Sequence, residues 1–187
     1  MKSIIACLFV AFSAFANAQL KPFTTDGCSV VPDQPLIHPS PQANSWAHCC
    51  IVHDFKYWRG GSRDERLAAD NELKNCASEM TGGPQGNHFF GWVMKLGVRI
   101  GGAPEYFFID SLAPWRWGYG WSANFGYAEL NKDQREQVKV GLKEIYSILP
   151  ELADYYQVVD DRLLYVEDEL LKEIQNFEKP QWREPIL

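Results

Sequence analysis

The sequence HCCIVHDFKYWRGG, residues 48–61, decides the fold of this chain. It combines two adjacent cysteines, a His-Asp pair and a tyrosine, and two glycines close it. Because residues three and four apart share a face of a helix, Cys49, Cys50 and Tyr57 flank His53 along one side. The stretch therefore predicts a helix that carries reactive side chains at fixed offsets.

The residues around this stretch indicate where helices begin and end. Ser45 is a typical cap for the first helix, which runs for about a dozen residues to the glycine pair. Ser62 and Glu65 form a capping box that opens a second helix. Its apolar positions are Leu67, Ala68 and Leu73, and it should end before Gly82-Gly83-Pro84. Two helices joined by a two-glycine corner usually lie antiparallel.

Three more helices are predicted, at about residues 87–100, 131–149 and 160–177. The first has apolar positions at Phe89, Phe90, Trp92, Val93, Leu96 and Ile100, and the second should be broken by Pro150. Between them, residues 114–127 are too rich in glycine and aromatic side chains for regular structure. Few segments alternate with period two, so we expect a mainly α fold.

The first 18 residues have the features of a signal peptide. One lysine precedes an apolar run over residues 4–15, and Ala-Asn-Ala at 16–18 fits the small-x-small cleavage pattern. We therefore expect export to a periplasm or to the cell exterior. The mature chain would begin near Gln19, and Cys7 would be removed.

The remaining chain has an uneven charge distribution. Residues 19–127 carry 9 basic and 10 acidic side chains, whereas residues 128–187 carry 8 and 14. These balances argue against a nucleic-acid partner and against strong attraction to anionic lipid. No later apolar run approaches the roughly 20 residues of a membrane span. We expect one soluble domain over 19–187, with a core at about 26–102 and a C-terminal helical extension at about 128–187.

The expected mature chain retains four cysteines, Cys28, Cys49, Cys50 and Cys76. An even set in an exported protein indicates two disulfides. Adjacent helical cysteines diverge by about 100° and need different partners, one in the loop and one on the second helix. We predict the pairs Cys28–Cys50 and Cys49–Cys76, each worth about 2–4 kcal/mol. A zinc site that uses these cysteines with His48 or His53 is the rival interpretation, which oxidising conditions disfavour.

The disulfide between the helices predicts a contact between His53 and Asp70. Asp70 lies six residues before Cys76, and His53 lies four residues after Cys49. In an antiparallel pair, a step back along the second helix and a step forward along the first lead towards the same end of the pair, so the two side chains come close together. The carboxylate would hold one imidazole nitrogen, fix the tautomer and leave the other nitrogen as a general base.

Asp54 is one position further round the helix and points elsewhere. The loop that Cys28 ties down offers Asp26 and backbone carbonyls. Carboxylate and carbonyl oxygens suit a hard cation, calcium before magnesium. Asp33 is a competing ligand.

These motifs resemble a known enzyme family. Cys-Cys-x-x-His-Asp-x-x-Tyr on one helix, with DNELKNC at residues 70–76 on the next, resembles the catalytic helix pair of secreted phospholipase A2. TDGCS at residues 25–29 is similar to the short calcium loop of the bacterial and fungal branch of that superfamily. The resemblance covers about residues 26–76 and includes both predicted disulfides. Many members have a further disulfide, whose two cysteines would correspond to Lys56 and Ala69. This chain therefore lacks both cysteines of that disulfide.

The resemblance implies a role for each matching residue. His53 would take a proton from water, Asp70 would orient His53, and Tyr57 would hydrogen-bond to the aspartate. Calcium would be held by Asp54, Asp26 and the carbonyl of Gly27.

The activity that the resemblance implies is calcium-dependent hydrolysis of the sn-2 ester of glycerophospholipids at a membrane or micelle interface. It needs no covalent nucleophile, and the absence of Gly-x-Ser-x-Gly excludes an α/β-hydrolase lipase. The alternative is a catalytically silent exported protein of the same fold that acts as a binding or envelope protein. The intact His53, Asp54 and Asp70 favour the enzyme, and the oligomeric state stays open.

The tryptophans allow two interpretations. Most tryptophan in a soluble domain packs in the core. The alternative is an aromatic collar at a lipid interface, formed by Trp46, Trp58, Trp92, Trp115, Trp117 and Trp121. Among these, Trp58 and the segment RWGYGW, residues 116–121, are candidate walls of an acyl-chain slot. The acidic helices after Asn131 should pack back on the core and expose a charged face.

Overall fold

The computed structural model describes residues 18–29, 46–82, 88–105, 115–121 and 125–179. Within them, five helices confirm the mainly α prediction, and the extended backbone is limited to one bridge between Leu20 and Trp121. The helices are α1 (Ala47–Arg59), α2 (Arg63–Gly82), α3 (His88–Gly101), α4 (Lys132–Tyr155) and α5 (Asp160–Glu178). The predicted signal peptide, residues 1–18, lies outside the described residues except for Ala18, and Asp33 and Ser45 lie outside them too. The residue that precedes α1 is Trp46, which makes no side-chain cap.

Helices α1 and α2 form the predicted antiparallel pair. Both predicted disulfides are present, with S–S distances of 2.04 Å for Cys28–Cys50 and 1.99 Å for Cys49–Cys76. Residues later in α1 contact residues earlier in α2, as the pairs Cys49–Cys76, His53–Asp70 and Arg59–Glu65 show. The capping box at Ser62 and Glu65 is also present, with both reciprocal hydrogen bonds.

Helix α1 is the centre of the molecule, and all of its residues are buried. One side packs against α4 and α5 in the main apolar core, through Ile51, Val52, Phe55 and Trp58. The other side packs with α2 and α3 around the two disulfides. Because α1 has no solvent face, its polar side chains are all held by partners inside the protein.

The buried face of α2 includes charged side chains as well as apolar ones. Leu67 is 42% exposed, whereas Arg66 is 1% exposed. The face that packs inward is Arg66, Ala69, Asp70, Leu73 and Ala77, which are three or four residues apart. Hydrophobicity alone does not identify this face, since the apolar Leu67 and Ala68 are exposed whereas Arg66 and Asp70 are buried.

Helix α3 also packs differently from its apolar pattern. It meets α2 at Gly91, where a side-chain carbon would stand 2.2 Å from the Lys74 carbonyl oxygen. Met94 is buried on the same side. Most of the large apolar side chains of this helix are exposed: Phe89, Trp92, Val93, Leu96 and Ile100.

The C-terminal helices α4 and α5 pack against α1, as expected for the acidic extension. Contrary to the prediction, α4 continues through Pro150 to Tyr155. The hydrogen bond that Pro150 cannot donate would go to the Tyr146 carbonyl, and both residues are exposed, so water can satisfy that carbonyl. None of the helices in the described ranges is long and apolar enough to cross a membrane.

Lys56 links three helices through charge. Its ammonium group is 2.5 Å from a Glu72 carboxylate oxygen on α2 and 3.1 Å from one of Glu169 on α5. The Lys56 side chain is only 8% exposed. Lys56 therefore forms an ionic link between the helix pair and the C-terminal extension.

Substitution of Lys56 by methionine should lower the free energy of unfolding by about 1–3 kcal/mol, because two carboxylates then lose their buried cation. The matched control is Lys172→Met, since Lys172 also pairs with Glu169 but is 57% exposed. We expect the control to change stability by less than about 0.5 kcal/mol. Urea unfolding at pH 7 measures both. Equal stabilities of the two variants would show that the link contributes nothing.

Candidate active site

The contact between His53 and Asp70 is present at the interface of α1 and α2. His53 Nε2 lies 3.2 Å from Asp70 Oδ1. Because a carboxylate accepts hydrogen bonds, this contact places the hydrogen on Nε2 and leaves a lone pair on Nδ1. Nδ1 lies on the other side of the ring, 3.8 Å from Asp54 Oδ1. His53 and Asp54 are about 5% and 6% exposed, and both line the adjoining cavity.

Asp70 is completely buried and is held by three donors. Tyr57 donates its hydroxyl to Oδ1 at 2.7 Å, which fits the predicted role of Tyr57. Arg99 donates from α3 to Oδ2 at 2.8 Å. With His53, these donors fix both carboxylate oxygens.

A second arginine, Arg66, holds the hydroxyl of Tyr57 in this arrangement. Arg66 donates to the Tyr57 hydroxyl at 2.9 Å and to the carbonyls of Val98 and Arg99 at 3.0 and 2.9 Å. It also donates to the Tyr127 hydroxyl. Arg66 and Arg99 were not predicted. Arg66 had a signal, since it lies one turn before Asp70 on the same face, whereas no sequence pattern connects α3 to Asp70.

The electrostatics of the two carboxylates differ. Burial would raise the pKa of Asp70, but hydrogen bonds from His53, Arg99 and Tyr57 outweigh it and lower that pKa below its ordinary value. Burial raises the pKa of Asp54, which the neighbouring His53, through its charge when protonated, and the hydrogen bond from Thr25 only partly offset. Burial alone would lower the pKa of His53, but its two carboxylate neighbours raise it above the ordinary value. Asp70 is therefore a fixed anion that holds the imidazole.

The loop before the first disulfide brings Asp26 and Gly27 to the same site. Thr25 donates its hydroxyl to Asp54 Oδ2 at 2.5 Å and accepts from the Gly27 amide at 3.0 Å. Gly27 has a φ of 72°, a value that favours glycine. Asp26 is exposed and accepts a hydrogen bond from Ser29 at 2.8 Å.

Distant parts of the chain hold this loop in place. The Cys28–Cys50 disulfide ties it to α1. Tyr119 donates to the Thr24 carbonyl at 2.6 Å, and Tyr156, at the end of α4, donates to the Thr25 carbonyl at 3.0 Å. The aromatic segment and the C-terminal extension therefore both position the loop, which no local pattern in the sequence predicts.

A cavity of about 530 Å³ opens at His53. Its polar end is formed by Asp26, Gly27, His53 and Asp54, and its lining is otherwise mostly apolar. One face of α3 lines the other side, at Val93, Met94, Gly97, Val98, Gly101 and Gly102, and Trp115 completes the wall. The cavity can take an apolar chain with a polar group at the histidine end.

The chain matches no protein-family model, no curated protein and no solved structure. The resemblance to secreted phospholipase A2 therefore rests on the motif residues of the sequence alone. All six predicted site residues, His53, Asp54, Tyr57, Asp70, Asp26 and Gly27, either line this cavity or contact a residue that does.

The polar end of the cavity would suit a hard cation. Asp54 is buried, and Asp26 is close enough for its charge to raise the Asp54 pKa further. Within the described ranges, neither carboxylate forms an ion pair with a lysine or an arginine. Two carboxylates and a loop carbonyl are the donors that calcium prefers. Asp54 and Asp26, with the Gly27 carbonyl, are thus the residues that could hold it.

Neither Trp58 nor the segment 116–121 lines the cavity, so both candidate acyl-slot walls are wrong, and core packing is the interpretation that holds for most of the tryptophans. Trp58 lies on the far side of α1, where its indole donates to the Lys21 carbonyl at 2.8 Å. Trp117 and Trp121 are buried, and the segment 117–121 caps the end of α1 through hydrogen bonds to the carbonyls of Tyr57, Trp58 and Arg59. Trp46 is buried too, so an aromatic collar does not form. Trp115 alone lines the cavity, and Trp92 is exposed on α3.

The zinc interpretation also fails. His48 Nε2 lies 3.4 Å from Cys49 Sγ and 3.5 Å from Cys76 Sγ, a group with the spacing of metal ligands. These two sulfurs are bonded to each other, however. Zinc binds thiolates, and a disulfide offers none. The His48 cluster is therefore part of the disulfide core.

Proposed function

We propose that this protein is an exported, calcium-dependent hydrolase of the sn-2 ester of glycerophospholipids. The single observation that supports the proposal is the His53–Asp70 contact of 3.2 Å at the polar end of an apolar cavity. A general base requires an imidazole whose second nitrogen is fixed by an acceptor, and a lipid substrate requires an apolar slot beside that base. The site is proposed to act outside the cytoplasm, where its two disulfides persist.

In the proposed reaction, water attacks the ester carbonyl while Nδ1 of His53 takes its proton. Asp70 holds Nε2–H and stabilises the imidazolium that forms. When the tetrahedral intermediate collapses, the bond between the acyl carbon and the sn-2 oxygen of glycerol breaks. The departing alkoxide takes the proton back from Nδ1, and the products are a fatty acid and a lysophospholipid.

Calcium at Asp54, Asp26 and the Gly27 carbonyl would supply positive charge that polarises the ester carbonyl and stabilises the oxyanion. The loop that carries two of these ligands is held by Thr25, Tyr119 and a disulfide. Such a fixed loop would lose little entropy when the ion binds. The C-terminal extension would therefore help to position the calcium ligands, since Tyr156 is one of the groups that hold the loop.

The test is fatty acid release from phosphatidylcholine vesicles by the full chain produced in an exporting host. We expect release with millimolar calcium and at least about a 100-fold slower rate with excess chelator, because the charge that stabilises the oxyanion is then missing. Readdition of calcium should restore the rate. No release from any phospholipid with calcium present would favour the silent binding protein instead. Undiminished release in chelator would overturn the calcium assignment.

A further inference from the structure

Helix α3 and the residue that follows it contain four glycines, which have two kinds of surroundings. At Gly91 a side-chain carbon would clash with a carbonyl of α2, and at Gly102 it would stand 2.5 Å from the ring of Tyr57. Packing therefore requires glycine at these two positions. At Gly97 and Gly101 a side-chain carbon would meet no atom of the described residues within 4 Å, so packing does not require glycine there.

The backbone conformation does not require glycine at Gly97 and Gly101 either. Neither residue has a positive φ, the conformation for which glycine is usually needed. Gly97 lies inside α3, and glycine in the interior of a helix lowers stability relative to alanine, because more backbone freedom is lost on folding. Glycine at this position therefore costs stability, and no contact among the described residues explains that cost.

Both glycines lie on the wall of the cavity that contains His53. Val93, Gly97 and Gly101 are each four residues apart, so they share one face of α3, over about 12 Å of helix. Between Gly97 and Gly101 this wall has no side chain. The space that two side chains would occupy is therefore left to the cavity.

The other side of the cavity carries the imidazole of His53. This side chain is 5% exposed, and its Nδ1 lies on the side of the ring away from Asp70. Apolar side chains, among them Leu73, Met94 and Trp115, form most of the remaining lining. A row of small residues alone does not indicate a ligand. Here it borders the same cavity of about 530 Å³ as a buried polar group, which is the usual composition of a ligand site.

We propose that Gly97 and Gly101 are specificity-determining residues, which keep one wall of the cavity free of side chains so that a single unbranched acyl chain can lie against the backbone of α3. This inference rests on the proposed function for the identity of the ligand. It deepens that function by naming the residues that limit the bulk of the chain. A side chain added at either position would fill space that the acyl chain uses.

The test measures binding of ligands that the proposed reaction does not consume. Lysophosphatidylcholines with acyl chains of eight, ten and twelve carbons have no sn-2 ester. They are used below their micelle concentrations, with the full chain from an exporting host. Isothermal titration calorimetry gives the dissociation constants, and thermal unfolding gives the melting temperatures.

Three variants fill the space in steps: Gly97→Ala, Gly97→Leu and Gly101→Leu. The matched controls are Ser147→Ala and Ser147→Leu. Ser147 is exposed on α4 and does not line the cavity, and serine is, like glycine, a poorer helix former than alanine or leucine. The controls therefore add the same side chains to a helix without filling the cavity. Circular dichroism checks that every variant is folded.

We expect the affinity of the parent to rise by about tenfold for every two carbons added to the chain, because each buried methylene strengthens binding. Gly97→Leu and Gly101→Leu should each lose at least about tenfold in affinity for the twelve-carbon chain, and Gly97→Ala should lose less. The controls should change affinity by less than about twofold. Gly97→Ala should nevertheless raise the melting temperature by about 2–4 °C, because the helix gains stability.

Three results would overturn the proposal. The first is a parent that binds none of the three lysolipids. The second is undiminished affinity for the twelve-carbon chain in both leucine variants. The third is a lower melting temperature for Gly97→Ala, since glycine would then be required by the fold itself.

Hydrolysis of dihexanoyl phosphatidylcholine by the parent separates this inference from the proposed function. If the lysolipids bind with the expected dependence on chain length and on the variants, but no fatty acid is released from any phospholipid, the acyl-chain slot stands and the hydrolase is wrong. If fatty acid is released but no lysolipid binds, the hydrolase stands and the role given to Gly97 and Gly101 is wrong.

Discussion

His53→Gln should lower the rate of fatty acid release by about 10²- to 10⁴-fold, the contribution of a positioned general base. Glutamine can still donate an amide N–H to Asp70, so the side chain can keep its place between α1 and α2. It has no basic nitrogen to accept the proton from water. The loss should therefore appear in the chemical step, with thermal stability little changed.

Asp54→Asn, one residue away, should act differently. Asparagine can accept the Thr25 hydroxyl that Asp54 Oδ2 now accepts, but it lacks the charge that attracts calcium. We expect the calcium concentration at half-maximal activity to rise by about 10- to 100-fold or more, and added calcium to recover part of the rate. Added calcium should not rescue His53→Gln.

These two variants have matched controls in exposed residues of the same type, His88→Gln and Asp64→Asn. Both controls should keep the parent rate and calcium dependence. Fatty acid release at a series of calcium concentrations, together with direct calcium titration, measures all four proteins. Activity that survives His53→Gln would remove His53 as the base. An unchanged calcium affinity in Asp54→Asn would remove Asp54 as a ligand.

The helix pair was predictable because local spacing determines it. The offsets among Cys49, His53 and Tyr57 place them on one face, and the disulfide to Cys76 fixes the register of α2. The contact of His53 with Asp70 follows from those two facts alone. Glycine and capping signals also placed α1 and α2 within a few residues.

The supports of the site were not predictable, because they come from distant parts of the chain. Tyr119 and Tyr156 reach the loop at Thr24 and Thr25 from more than 90 residues away. Nothing in their local sequence distinguishes them from ordinary aromatic residues. Arg99 reaches Asp70 only because α3 packs closely on α2 at Gly91.

Hydrophobic pattern was the least reliable guide to burial. In α3 it indicated a core face that is exposed, and in α2 it missed a buried arginine. Both departures lie next to the site. A helix that lines a cavity keeps apolar residues outside the core, and a buried carboxylate needs buried cations around it. Local rules tend to fail at such functional positions.

Arg66→Met should lower the free energy of unfolding by about 3–5 kcal/mol, a large part of the 5–15 kcal/mol typical of a domain. Arg66 is 1% exposed and donates to Tyr57, Tyr127 and two carbonyls of α3. Methionine fills much of the volume but makes none of these charge-assisted hydrogen bonds. The Tyr57 hydroxyl then loses a donor while it still has to hold Asp70.

The matched control is Arg63→Met, one turn earlier on α2, where the arginine is exposed and its guanidinium lies over the ring of Tyr127 at 5.4 Å. We expect a loss of less than about 1 kcal/mol there. Arg66→Lys should fall between the two, because lysine keeps the charge but cannot bridge several acceptors in one plane. Urea unfolding monitored by circular dichroism gives all three values. If the free energies of unfolding of Arg66→Met and Arg63→Met differ by less than about 1 kcal/mol, the hydrogen bonds of Arg66 do not stabilise the packing of α1, α2 and α3, and the structural role given to Arg66 is wrong.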